Sequence, residues 1–128
     1  MEAFITRTLE PHDPVFKTGE QGILTIKVYG MCEKVKVSFP QELISQEDEW
    51  NPNHLDQEYD LSPAMSQELT QEFYVPLYTQ EGAYTTEVTA YKTGNDGNQL
   101  TKTVYPQFRV SGNMLDELKT RIRLADRR

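Results

Sequence analysis

The residues best equipped for chemistry lie close together: Glu47, Asp48, Glu49, Asp56, Glu58 and Asp60 form an acidic run with His54 inside it. Carboxylates and a histidine do general acid and base work when they converge on a pocket that shifts their pKa values. The same oxygens suit calcium, which takes six to eight of them, but the spacing matches no EF-hand loop. The tip sequence GNDGN, Gly94 to Asn98, offers further oxygens through Asp96. Hairpin turns use the same residue types for backbone reasons alone. His12 stands far from the run, and nothing resembles a nucleophile elbow, a phosphate loop or an HExxH helix. The reading is a non-enzyme with a solvated acidic loop, no metal site and no cofactor.

Two other chemistries deserve weighing. Sugar recognition needs exposed aromatic rings as a platform, and Trp50, Tyr59, Tyr74, Tyr78 and Tyr91 are candidates if they face outward. Outward tyrosines are also ordinary strand residues that stabilise cross-strand pairs. Cys32 is the only cysteine, so it forms no internal disulfide and offers no zinc spacing.

These residues need a scaffold, and the composition bounds it. A chain of 128 residues fits one domain, and its 37% hydrophobic content gathers in short alternating runs typical of thin β-layers. With 20 acidic and 13 basic residues the net charge is −7, which disfavours a nucleic-acid partner. There is no membrane-length apolar run and no targeting signal in this chain.

Alternation marks the strands. Residues 3–9 form a first, edge-like candidate, stopped by the prolines and glycines of 11–22. In 22–30, Leu24, Ile26 and Val28 face one way; in 34–40, Val35, Val37 and Phe39 do, and the two runs are expected to pair antiparallel. Residues 41–67 read as an irregular acidic insertion with room for a short helical turn. Residues 68–77 restore a strand with Leu69, Phe73, Val75 and Leu77 on one side. Residues 82–92 place Tyr84, Thr86, Val88 and Ala90 on one face, and TGNDGNQ turns the chain into the last run, in which Pro106 marks a bulge or a change of pairing. From 111 to 128 the period becomes helical, with Leu115, Leu118 and Ile122 on one stripe, acids early and arginines late.

Gly82, Tyr84, Val88 and Ala90, followed by a Gly/Asn/Asp turn, resemble the penultimate strand of bacterial surface immunoglobulin-like and fibronectin-like modules. The resemblance covers mainly 69–110, with support from 22–40. It implies an all-β, immunoglobulin-like antiparallel sandwich of about seven strands over 1–110; the C-terminal amphipathic helix of 111–128, expected from the helical period and appended to the same domain, is not part of the usual module. It also implies that Tyr84 is a corner tyrosine whose hydroxyl is tied to nearby backbone. The expected role is a non-catalytic spacer or adhesion unit within a larger extracellular or cell-surface protein. Its partner would be a protein or glycan, met by Trp50, Asp56, Glu58, Tyr59, Asp60 and Asp96. Two alternatives stand beside it: a self-assembling phage or virion component that associates through the helix stripe and strand edges without inserting in membrane, and a carbohydrate-binding module.

Overall fold

Period-2 alternation builds the centre of the molecule. In the computed structural model, which describes residues 1–7, 14–43, 53 and 56–112, the sequence GILTIKVYG becomes a strand with Leu24, Ile26 and Val28 all buried. Among the described residues there are ten strands: β1 Glu2–Arg7, β2 Val15–Phe16, β3 Gln21–Tyr29, β4 Lys34–Ser38, β5 Asp56–Asp60, β6 Ser66–Tyr74, β7 Gly82–Thr85, β8 Glu87–Thr93, β9 Gln99–Val104 and β10 Gln107–Val110. A 3-10 turn covers Gln41–Leu43.

The strands form three ladders, ordered β1-β3-β6, β2-β10-β7 and β5-β4-β8-β9. The last two share one register. Thr85 opposes Gln107 and Val88 opposes Val104, and between them the Thr86 N–H donates to the Pro106 carbonyl at 2.9 Å. Proline has no N–H to return the bond, so the long hairpin expected from 82–110 is one register interrupted at a single rung. Pro106 thus separates two pairings, as its place in the sequence suggests.

The core lies between this layer and the β1-β3-β6 sheet. Leu24, Ile26 and Val28 from β3 share a buried cluster with Val35 and Val37 from β4 and Val88 from β8. At one end the cluster turns aromatic. Phe73 lies 5.6 Å from Phe16, 5.5 Å from Phe108 and 5.3 Å from Phe39, ring centre to ring centre, and Tyr84 stacks on Phe108 at 5.5 Å. Gly22 makes room for this: a Cβ there would lie 2.5 Å from the Phe73 ring and 2.8 Å from that of Phe16.

Four expectations change. The 22–30 and 34–40 runs do not pair; β3 and β4 lie in different sheets and meet face to face. The connection between them reverses through Gly30 and Met31, both at positive φ (77° and 64°), which carries the chain across the sandwich instead of into a hairpin. The acidic insertion is partly regular, since β5 occupies 56–60 and pairs with β4 along its whole length. The sandwich is not purely antiparallel, because β2 runs parallel to β10. The strand count rises accordingly from seven to ten. Trp50 and the helical segment carrying Leu115, Leu118 and Ile122 lie outside the described residues.

Tyr84 donates its hydroxyl to the Gln80 carbonyl, and its ring is half-buried against Phe108. Burial, and next to it the negative charge of Glu42, hold the phenol above its ordinary pKa. Replacing Tyr84 with Phe should cost about 1 kcal/mol in chemical denaturation. Tyr91→Phe should be neutral, because the Tyr91 hydroxyl has no partner among the described residues and the ring remains under Lys34. Equal losses would contradict this assignment. Thr86 is fully buried with an unpartnered hydroxyl, so Thr86→Val should leave stability unchanged or raise it by up to about 2 kcal/mol.

Candidate functional site

The acidic residues come first. On β5 the alternation turns Asp56, Glu58 and Asp60 to solvent and Gln57 and Tyr59 inward. Their neighbours across the ladder are Ser38, Lys36 and Lys34. Ser38 donates to Asp56, and Lys34 lies 3.6 Å from Glu58. Both are solvent-exposed contacts of small energetic weight. The face is an acid row beside a lysine row, and among the described residues no group of three or more acids, histidines or cysteines converges to hold a metal ion.

Tyr59 is not an open platform for sugar. Its hydroxyl donates to Gln71 on β6 at 2.6 Å and lies 2.9 Å from Gln57, closing the side of the sandwich between β5 and β6. Burial raises its pKa above the phenol value of 10.0. Asp96 has a backbone task as well: it accepts from the backbone N–H of Asn98 and then from the Asn98 side chain, which together lower its pKa. This is the bond pattern of an Asx turn and accounts for GNDGN by geometry alone. In the sheet order β4 stands between β5 and the β8–β9 hairpin that carries the tip, so the acids and the tip do not share a site.

A different surface gathers at the end of the sandwich where β3 finishes. Four large apolar side chains are exposed there: Met65 at 76%, Tyr29 at 53%, Leu100 at 51% and Met31 at 46%. Backbone bonds hold three of them together, because Gly30 donates to the Met65 carbonyl and Met31 to that of Ala64 at 3.0 Å each, while Tyr29 opposes Ser66. Tyr29 and Leu100 then rim a pocket of about 180 Å³ whose other walls are Met1, Val28, Cys32, Ala90, Tyr91, Lys92, Thr101 and Lys102. Single exposed apolar residues are ordinary, but a cluster of them, two of which rim a pocket, makes this end the candidate contact surface. Methionine suits such a surface, since its flexible thioether adapts to varied partners.

The Cys32 thiol is committed inside this wall: it points at the carbonyls of Lys34 (3.2 Å) and Tyr91 (3.5 Å) and is 4% exposed. A second pocket of about 290 Å³ lies further along the same side, lined by residues 3–6 of β1, Pro14, Pro106 and Gln107. Together the two pockets follow the open side of the sandwich between β1 and the β9–β10 strand.

Sequence reasoning missed this surface. Tyr29, Met31 and Leu100 sit at the ends of apolar runs, where alternation alone assigns them to core or turn. The one available signal was Gly30-Met31 between two strands that do not pair. A methionine held at φ 64° costs about 1–2 kcal/mol, and strain of this kind concentrates where a side chain must be presented. Met31→Gly should therefore hold or raise stability by up to about 1 kcal/mol, after allowing for glycine's greater unfolded freedom, while Met31→Val should lower it by a similar amount. Chemical denaturation of the two variants checks the sign. Comparison with protein-family models and with curated proteins finds no match for the chain, so the reading of this surface stands on its own geometry.

Proposed function

We propose that the domain is a non-catalytic immunoglobulin-like module of a bacterial surface or secreted protein, acting as a tension-bearing spacer that also carries a binding face. The strand order supports the immunoglobulin-like reading: β1-β3-β6 packs on a layer that runs β5, β4, β7–β8, β9–β10, β2, and Tyr84 is tied back to the backbone of Gln80 ahead of its strand.

The observation that carries the spacer role is the placement of β1 and β10, the first and last strands among the described residues. Met1 lies beside Tyr29 and Lys92, whereas Gly112 lies beside Thr18 and Glu81, at the other end of the sandwich. Tension entering at Met1 pulls β1 along its own axis against six paired residues of β3. Tension leaving at Gly112 pulls β10 along its axis against β2 and β7. In both cases the hydrogen bonds are loaded together, in shear, and not opened one at a time. Bonds from Arg109 to Pro14, from Ser111 to Phe16 and from Thr18 to Gly112 carry the β2–β10 clamp past its two paired positions at both ends.

Single-molecule pulling tests this. Drawn through positions 1 and 112, the protein should resist a higher force than when drawn through positions 1 and 96, which lie at the same end of the sandwich, so that the load no longer runs along the β1 and β10 ladders. Equal forces in the two directions would remove the mechanical reading.

A further inference from the structure

We infer that the open edge of β9, with the pocket beside it, binds an extended acidic peptide segment of another protein by strand addition. The segment places one apolar side chain in the pocket and its carboxylates against Lys92 and Lys102. This deepens the binding half of the proposed function and rests on it.

The edge is the first ground. β9 pairs with β8 on one side and ends its sheet on the other, so alternate N–H and C=O groups of Gln99–Val104 face outward unpaired within the described ladders. Three other edges carry a guard on at least part of their length. β5 carries Asp56, Glu58 and Asp60; β10, which continues the β9 register past Pro106, is covered by β2. At the end of β6 the Asn53 side chain replaces a strand, since its amide donates to the Tyr74 carbonyl at 2.6 Å and accepts from the Tyr74 N–H at 2.9 Å. β9 has no proline and no acid, and its one lysine lines the pocket.

The pocket is the second ground. Leu100 and Lys102 share one side of β9, and both line it with Val28, Cys32 and Ala90. A volume of about 180 Å³ takes one large side chain, not a drug-sized ligand. A strand added to β9 would present every second side chain to this face, which is how strand addition gains specificity.

Charge is the third. In a chain of net charge −7, this pocket is lined by two lysines and no carboxylate. Neither lysine has an ion pair among the described residues; Lys92 only donates to the Gly30 carbonyl at 3.3 Å. An acidic segment is complementary. A second copy is not, because a two-fold β9–β9 pairing centred on Lys102 or on Thr101 sets the two Lys102 side chains opposite or diagonal to each other on one face, and like charges there destabilise the ladder.

The probe is a capped peptide, Thr-Glu-Val-Phe-Val-Glu-Thr, titrated into the full chain and followed by amide NMR. Its phenylalanine and both glutamates share a face. The expected result is saturable shifts and slowed exchange at alternate amides of 99–104, with shifts at Val28 and Ala90. Changing the glutamates to lysine should weaken binding by about tenfold, and Lys102→Glu should reverse that preference. Methylating alternate backbone nitrogens of the peptide should abolish binding. Absence of saturation at about 1 mM peptide, shifts confined to β1 or β5, or indifference to peptide charge would each overturn the assignment. So would a concentration-dependent mass that Leu100→Glu abolishes, which gives the edge to a second copy. A domain that withstands end-to-end force but ignores the peptide remains a spacer and loses only this inference.

Discussion

The packing of Phe73 over Gly22 holds the two layers in their arrangement. Gly22 sits opposite Phe73 in the β3–β6 register, and the absence of a side chain there lets the ring reach Phe16 and Phe108 in the other layer. Each buried phenylalanine contributes about 2–3 kcal/mol of transfer free energy, and each well-placed ring pair about 1 kcal/mol more. A two-residue strand such as β2 has little ladder of its own, so its docking depends on burying Phe16 among these rings. That docking in turn makes the parallel clamp on β10. The chain then crosses to the other sheet within three residues: Thr18 bonds to Gly112 in one layer, while Gly19 and Glu20 exchange bonds with Val75 in the other. Glu20 fastens the crossing by accepting from the Lys17 N–H and pairing with Arg7 at 2.6 Å.

How much of this was legible depends on whether a signal is local. Strands β3, β4, β6 and the β8–β9 hairpin announce themselves because burying one face imposes alternation on the residues themselves. Partner choice carries no such mark: β3 and β4 each alternate cleanly, and only the paired left-handed residues Gly30 and Met31 hint that they belong to opposite sheets. β5 was hidden for another reason. Its inward residues run Gln57, Tyr59 and, just beyond it, Leu61, so the period is present but half of its buried face is polar. Glutamine is tolerated there because Tyr59 supplies a polar neighbour for the side chains of both Gln57 and Gln71. A scale that scores hydrophobicity cannot register a strand whose inner face is closed by hydrogen bonds.

The candidate site was less legible still, and the reason is instructive. Carboxylates and aromatic residues draw attention by type, yet Asp96 is consumed by its own turn and Tyr59 by the sandwich side. The end face gathered around Tyr29, Met31, Met65 and Leu100 is built from residues distant in sequence, brought together by the β3–β6 ladder and by the way the sheets end. Its residue types are those of a core. Only their exposure distinguishes them, and exposure is a property of the assembled fold.

The guarding of edges and the openness of β9 belong to one argument. A sandwich with several edge strands must prevent each from templating another chain, and here the means differ by edge: acids on β5, a side-chain amide at the end of β6, a short parallel strand on β10. A β9 edge left open among the described residues carries a cost in aggregation hazard, while holding Met31 at positive φ carries one in stability. Two such costs, paid on neighbouring parts of one end face, are hard to reconcile with a role confined to transmitting force, for which a closed edge and a glycine at position 31 would serve better. On the proposed reading, the fold retains both because that face meets a partner.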